Sequence, residues 1–293
     1  MAWEITVAGS ITSDDITTPV GVNLEQAGGS AFYFSIAASK YTKVNICGTV
    51  GVDRKNVLFD ALKNQQIDLS CVDISDLPTA RWYATHDFTK WVTAEEVTVQ
   101  GAYSTWKPLL SAHATLAPVL FVGSMSPELQ LDILEQSKSS LVGIDSMLVY
   151  ISKDSNKVFD LISKADILFL NVSELCELTG ANKENWQEKA QVLCEKKLGK
   201  LRSMVIKDGP NGATFISSDF VYHQPAPNSL DVVDPTGAGD ALAGGFMGYI
   251  AKCEVINKES CRVALEEGVN NATDAILGFG ASYMLSRKKI EVN

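Results

Sequence analysis

"DVVDPTGAGDALAGGF", residues 231–246, sets Gly237 and Gly239 directly before Asp240, then adds Gly244 and Gly245, with Gly248 just beyond. The "DPTGAGD" portion follows an extended segment, and the "ALAGGFMGYIAK" after it has helical apolar spacing. A loop running into a helix start is anion-binding geometry. The first N–H groups of a helix lack internal partners, and the helix dipole puts partial positive charge there. Gly237 and Gly239 let the backbone approach a phosphate with no Cβ in the way. Asp240 then stands at the helix start, where it can take the proton of an alcohol attacking a γ-phosphorus. Three other readings compete. "GAGDAL" begins like a dinucleotide fingerprint, but its sixth residue is Leu242 and it lies late in the chain. The Walker motif G-x-x-x-x-G-K-[ST] is absent. Asp240 as a plain N-cap is the structural alternative.

The chain has 293 residues, which fits one large α/β domain or two small ones. Hydrophobic content of 46% supports a full core. With 35 acidic against 25 basic residues, the formal charge of −10 disfavours nonspecific nucleic-acid binding. It leaves room for an anionic small molecule held by local N–H groups and a metal ion. Cysteines at 47, 71, 176, 194, 253 and 261 show no C-x-x-C spacing, which argues against zinc and for free thiols in a reducing compartment. "MAWEITVAGSI" reads as a first strand, not a signal peptide, and no run of about 18 apolar residues suggests a membrane span. The expectation is a cytoplasmic protein that binds neither nucleic acid nor membrane.

Strand-like apolar runs alternate with helical patterns. The runs are "WEITVAGSI", "KVNICGTVG", "PVLFVGSM", "SLVGIDSM", "ADILFLNVS" and "RSMVIKDGPNGATFIS". Their near-continuous apolar character suits strands buried on both faces. Strand–helix repetition predicts an α/β fold: a mostly parallel sheet with helices on both sides. Several runs end in a small or polar residue (Gly9, Gly123, Asp145, Asn171, Asp208), and ligands collect at such carboxyl ends. Residues 77–107 break the pattern with short β-type runs and three of the five tryptophans: Trp82, Trp91 and Trp106. They predict a small antiparallel lid, to which residues 13–24 could add a strand.

"DPTGAGDALAGGFMGY" resembles the second signature of the ribokinase-like (PfkB) carbohydrate kinase family, and "AGGSAFYFSIAASKY" resembles its first. "GSITSD", "GTVGVD", "NVSELCELTG" and "IKDGPNGATF" fall in the family's order between about residues 5 and 283. The resemblance implies a three-layer αβα sandwich with a small β-sheet lid. It implies one kinase domain over residues 1–293, with lid segments at about 13–24 and 77–107.

The same resemblance implies roles residue by residue. Asp240 becomes the general base, with Gly237, Ala238 and Gly239 as the anion hole. Asn171 and Glu174 match the N-x-x-E element of the Mg²⁺–phosphate water network, so Glu174 would act on Mg²⁺ through water; they also fit a helix cap. Lys207, Gly209 and Gly212 match the ATP loop, where "GPNG" is also a strong turn signal. Asn270 or Asn271 would neighbour the adenine. Asp234 and the loop at 278–282 lie where the family holds K⁺. On the acceptor side, Asp14 would accept two hydroxyls, with Gly28, Gly29 and Ser30 beside it. Gly28 and Gly29 would also hinge the lid.

The acceptor side departs from the sugar-specific pattern. Thr12 and Tyr33 stand where sugar kinases usually carry asparagines, and Met125 where ribose-type members have an acid. Tyr33 would enlarge the aromatic share of the pocket, as a nucleoside base would prefer. Arg81 and Trp82 could cover the acceptor. His86, His113 and His223 have no partner spacing and read as surface or lid residues. The expected function is ATP-dependent phosphorylation of an alcohol on a sugar or sugar-like acceptor. A nucleoside kinase, a non-catalytic nucleotide-binding regulator and, least favoured, a nicotinamide oxidoreductase are the alternatives. A homodimer through the exposed edge of the lid is the expected assembly.

Overall fold

The structure is a computed structural model that describes residues 4–63, 65–88, 92–196 and 198–286. Trp3, at the start of the first strand-like run, and Trp91, within the lid segment, lie outside the described residues. The chain opens with β1 (Glu4–Ala8), β2 (Thr12–Thr18), β3 (Gly21–Gly28), α1 (Ser30–Ala38), β4 (Lys43–Gly51), α2 (Lys55–Leu62) and β5 (Ile67–Ser75). It continues with β6 (Ala80–Asp87), β7 (Val92–Val99), α3 (Ala112–Leu116), β8 (Val119–Val122), α4 (Pro127–Gln136) and β9 (Leu141–Asp145). Then come α5 (Leu148–Lys153), α6 (Ser155–Lys164), β10 (Ile167–Asn171), α7 (Val172–Thr179) and α8 (Trp186–Glu195). It closes with β11 (Ser203–Lys207), β12 (Ala213–Ser217), β13 (Val221–Gln224), α9 (Ala238–Lys252), α10 (Lys258–Ile276) and α11 (Ser282–Ser286).

Nine strands form one sheet in the order β13-β12-β11-β10-β9-β8-β1-β4-β5. Pairing is parallel from β11 through β5 and antiparallel only at the β12 and β13 edge. The centre is buried on both faces, as its apolar runs predict. Along β8, Val119 and Phe121 join the core under α1, α9 and α10, while Leu120 and Val122 join the core under α4 to α8. Chain order reverses at β1, which lies between β8 and β4. Open α/β sheets bind ligands at such a switch point, outside the strand carboxyl ends.

The glycines after Asp240 are explained by helix packing. A Cβ on Gly244 would come within 2.3 Å of the Phe34 carbonyl oxygen on α1, and one on Gly248 within 2.7 Å of the Ala38 Cα. Gly245 faces the other way, where a Cβ would meet the Glu267 carbonyl of α10 at 2.7 Å. α9 is therefore wedged between two helices at near-backbone contact. That fixes its N-terminus firmly against the sheet.

The lid is a four-stranded sheet ordered β3-β2-β6-β7. Residues 12–28 give it a whole hairpin, not one strand. It is also not purely antiparallel, because β2 pairs with β6 in parallel. One face of this sheet carries Asp14, Gln26, Trp82 and His86: Asp14 registers against both Gln26 and Trp82, and His86 keeps the parity of Trp82 along β6.

Candidate active site

The carboxyl ends of the parallel strands converge beneath the start of α9. Gly237 is its N-cap at φ 76°, and a Cβ there would lie 2.3 Å from the Tyr33 ring. Glycine is thus required twice over, for the left-handed backbone and for the ring packed against it. The first turn of α9 (Ala238, Gly239, Asp240) then presents its amides with the positive end of the helix dipole. A Cβ on Gly239 would sit 3.3 Å from Lys207 Nζ, so the lysine head lies against this turn.

Lys207 ends β11 and donates to Asp145 Oδ2 at 2.7 Å across from the end of β9. Burial would lower the Lys207 pKa, but Asp145 and Glu174 outweigh it and hold it up at about 12. The lysine therefore carries a permanent charge in an acidic protein. Asp240 is pushed up to about 7 by burial first, then by Asp145 and Glu174, with Lys207 pulling the other way. A carboxylate poised near neutrality is matched to general base work.

Asn171 and Glu174 make a reciprocal capping box at the start of α7. The Glu174 amide donates to Asn171 Oδ1 at 2.8 Å, and Glu174 Oε2 accepts from the Asn171 amide at 2.7 Å. The cap holds the Glu174 carboxylate buried between Lys207 and Asp145, and burial raises its pKa. No three His, Cys, Asp or Glu side chains converge on a direct metal site among the described residues. The donor set suits Mg²⁺ held chiefly by phosphates and water, with one or two carboxylates behind it.

A cavity of about 600 Å³ adjoins the α9 start. Gly209, Pro210 and Gly212 border it, as do Ala238 and Leu242 of α9, Val269, Ala272 and Ile276 of α10, and His86 and Phe88 of the lid. Its size and apolar lining suit a nucleotide base and ribose. Gly209 at φ 50° and Gly212 at φ 96° shape the turn that follows Lys207. Asn271 does not line this cavity. It is buried against α9 and donates to the Tyr41 hydroxyl and the Glu267 carbonyl at 2.9 and 2.8 Å. Asn270 is exposed, and the α10 side chains that face the cavity are Val269, Ala272, Thr273 and Ile276.

On the acceptor side Asp14 is buried, with Oδ1 unpartnered, and is pushed up to about 7, mainly by burial, with the nearby Thr12 hydroxyl opposing and Asp234 adding to it. Gly28 is what makes room for it: a Cβ there would fall 1.9 Å from Asp14 Oδ2. Gly29, at φ 98°, turns the chain into α1, where a Cβ would strike the Ser10 carbonyl. Two expected acceptor contacts are placed otherwise. Ser30 is buried and spends its hydroxyl on the Ser10 amide and hydroxyl at 3.0 and 3.1 Å. Tyr33 is enclosed under Gly237 and offers no ring face to a ligand. Burial, then Asp14, Asp234 and Asp240, drives its pKa well up, so its unpartnered hydroxyl stays protonated among three carboxylates. Arg81 is engaged by Glu25 at 2.8 Å and Asp15 at 3.8 Å, and Met125 is core.

Both carboxylate oxygens of Asp234, the residue expected beside K⁺, accept N–H groups of the chain. Its Oδ1 accepts from the Thr236 amide at 2.9 Å, and its Oδ2 from Gln26 Nε2 at 3.1 Å and the Gly280 amide at 3.2 Å. The nearby carbonyls of Ile276 and Phe279 accept N–H groups as well. His86, read from sequence as a surface or lid residue, lies on lid strand β6 and reaches Thr236 Oγ1 at 3.0 Å, and burial lowers its pKa. Asp145 was legible only as a polar strand end; Gln26 had no signal.

The sequence model described as pfkB family carbohydrate kinase matches residues 14–286. The chain belongs to that family. It is therefore a kinase, and its relatives phosphorylate sugars and nucleosides. A cytidine kinase of Thermococcus kodakarensis is 25% identical over 276 residues, covering 90% of this chain and 96% of the relative. Two pfkB-type folds illustrate the architecture. The adenosine kinase of Sinorhizobium meliloti superposes with a TM-score of 0.79 at 15% identity, over 96% of this chain and 95% of that one. The aminoimidazole riboside kinase of Salmonella enterica, solved with aminoimidazole riboside and an ATP analogue, gives 0.74 at 20% identity, over 96% of both chains.

Proposed function

We propose that this kinase transfers the γ-phosphoryl group of ATP to a hydroxyl of a ribosyl-type acceptor, with Asp240 as general base. The observation that carries this is Asp240 itself, raised to about 7 at the amide-rich start of α9 with Lys207 beside the same turn. The acceptor oxygen attacks the γ-phosphorus, its proton passes to Asp240, and the bond to the bridging oxygen breaks to release ADP. The Gly237–Gly239 amides and Lys207 stabilise charge on the moving group. Mg²⁺, when bound near Glu174 and Asp145, would neutralise phosphate oxygens. Asp14 faces the site from the lid, and its unpartnered Oδ1 suits a diol.

A nucleoside is favoured over a free sugar. In sequence, the cytidine kinase matches along nearly the whole of both chains, whereas the match to a ribokinase of Arabidopsis thaliana spans 35% of this one. Trp82, opposite Asp14 in the lid sheet, is the aromatic surface a base would meet. An acceptor panel of pentoses, hexoses and nucleosides, with ATP and Mg²⁺, tests the reading by ADP release. Nucleosides are expected to give the largest kcat/KM. Turnover with hexoses alone would refute the nucleoside assignment, and no ADP with any acceptor would refute the kinase mechanism.

The outer face of the lid suits a second copy. Val22 and Leu24 on β3, Tyr83 on β6 and Val97 and Val99 on β7 are all exposed, and Tyr83 lies directly opposite Val97. A dimer mass is expected in light scattering, falling to the monomer in Val97→Lys.

A further inference from the structure

The binding site expected for a monovalent cation is occupied by the protein's own donors. Four observations converge on Asp234. Its carboxylate is fully buried, and both oxygens face N–H groups. A cation there would need oxygen ligands, and it would be repelled by the same N–H dipoles that now satisfy the carboxylate. The donors come from three elements: Gln26 from lid strand β3, Gly280 from the loop before α11, and Thr236 from the loop before α9. Gln26 is itself held, because its Oε1 accepts from Asn23 Nδ2 at 2.6 Å. His86, from lid strand β6, adds a hydrogen bond to Thr236 and stands 4.0 Å from Asp234 Oδ1.

The loop bearing Gly280 is shaped around this arrangement. Gly280 has φ 58°, and a Cβ on it would press on Gln26 Oε1 at 3.2 Å. Phe279 packs by Gly21 at the start of β3, where a Cβ would lie 3.5 Å from its ring. Lid strands β3, through Gln26, and β6, through His86, in turn grip Asp234 and Thr236, which lead within a few residues into the Gly237 turn.

We propose that the Gln26 amide takes the place of a monovalent cation at Asp234, so that phosphoryl transfer by this chain is independent of K⁺ and Gln26 is a positioning residue for the anion hole. The proposal rests on the kinase reading of the site. Its consequence is that the anion-hole loop is set by the lid and not by an ion: when β3 is in place, Asp234 is satisfied and the Gly237 turn is held.

Two comparisons test it, each between KCl and tetramethylammonium chloride at equal ionic strength. The wild-type melting temperature is expected to agree within about 1 °C, because no K⁺ binds the native state. Initial rates with ATP and an accepted nucleoside are expected to agree within about twofold. A tenfold rate rise in K⁺, or a K⁺-specific rise in melting temperature, would overturn the proposal. Gln26→Ala supplies the positive arm. It is expected to lose about tenfold in kcat in the organic cation and to regain most of it in K⁺, a gain of ion dependence that a merely structural role would not produce. A folded Gln26→Ala protein that matches the wild type in both salts would remove Gln26 from the mechanism. The wild-type arm stands if that variant fails to fold. If no acceptor is phosphorylated in either salt, the kinase reading fails, while the melting comparison still decides the ion question.

Discussion

Asp240→Asn is expected to cut kcat/KM by about 10²–10⁴-fold and, at pH 8, to raise the melting temperature. The two effects have one cause. The carboxyl is raised from 3.8 to about 7 in the folded protein, chiefly by burial. Below the unfolded value both states keep the proton, and the group contributes nothing to pH dependence. Between about 4 and 7 the unfolded chain releases it while the folded chain retains it, so stability falls as pH rises. Above about 7 the full cost of an ionised, poorly solvated carboxylate is present. Allowing for partial solvent contact, that cost is about 1–3 kcal/mol, or a few degrees of melting temperature. An amide of the same shape has no charge to bury and cannot accept the acceptor's proton. The stabilisation should therefore shrink as pH falls towards 4, and the loss of rate should be fullest above about pH 7 and narrow below it, where the wild type protonates its own base. A variant that melted below the wild type at pH 8, or that kept its turnover, would contradict this account.

The sheet was legible because its strands are buried on both faces, which leaves long apolar runs such as "ILFLN" ending at Asn171. β5 and β13 were not. β5, "IDLSCVDIS", is a sheet edge in which polar and exposed residues interrupt the apolar run, and β13 has only four residues. Edge strands need no continuous apolar run, so periodicity fades there. The parallel pairing of β2 with β6 joins segments far apart in the chain and leaves no local trace. The glycine-rich turn was readable because its backbone demands a residue type. The face of α10 was not: Asn270 and Asn271 differ by one position, yet one is exposed and the other lies under α9. Tyr33 misled because α1 is buried on every side, so a motif position could not say which neighbour covers the ring. Gln26 and His86 matter through partners 208 and 150 residues away. Such contacts belong to the folded topology, not to any spacing.

Lys207→Met is expected to damage both stability and catalysis at neutral pH, in a way that acid partly reverses. The Lys207 head bonds Asp145 and lies beside Glu174 and Asp240, so its removal leaves three carboxyl groups with no cation among them. Removing one partner of a buried pair costs about 3–5 kcal/mol, since the remaining charge is uncompensated. The surviving carboxyls answer by holding their protons: Lys207 now lowers the pKa of both Glu174 and Asp240, and without it both rise further. A folded pKa above the unfolded one destabilises as pH climbs, so the variant should recover stability towards pH 5 and lose it towards pH 8. The rate profile should move the opposite way. Asp240 must be ionised to act, so the acid limb of kcat/KM should shift to higher pH by about one unit or more. At pH 7 the loss should reach about 10²–10³-fold, because the transferring phosphoryl group also loses a fixed charge. Adding Asp145→Asn to the variant separates the two effects. It removes one of the like charges, so it should restore much of the melting temperature and pull the acid limb back, yet leave the plateau rate low. An acid limb that stayed where the wild type has it would show that Lys207 does not tune Asp240, and the electrostatic link between strand β11 and the α9 start would be withdrawn.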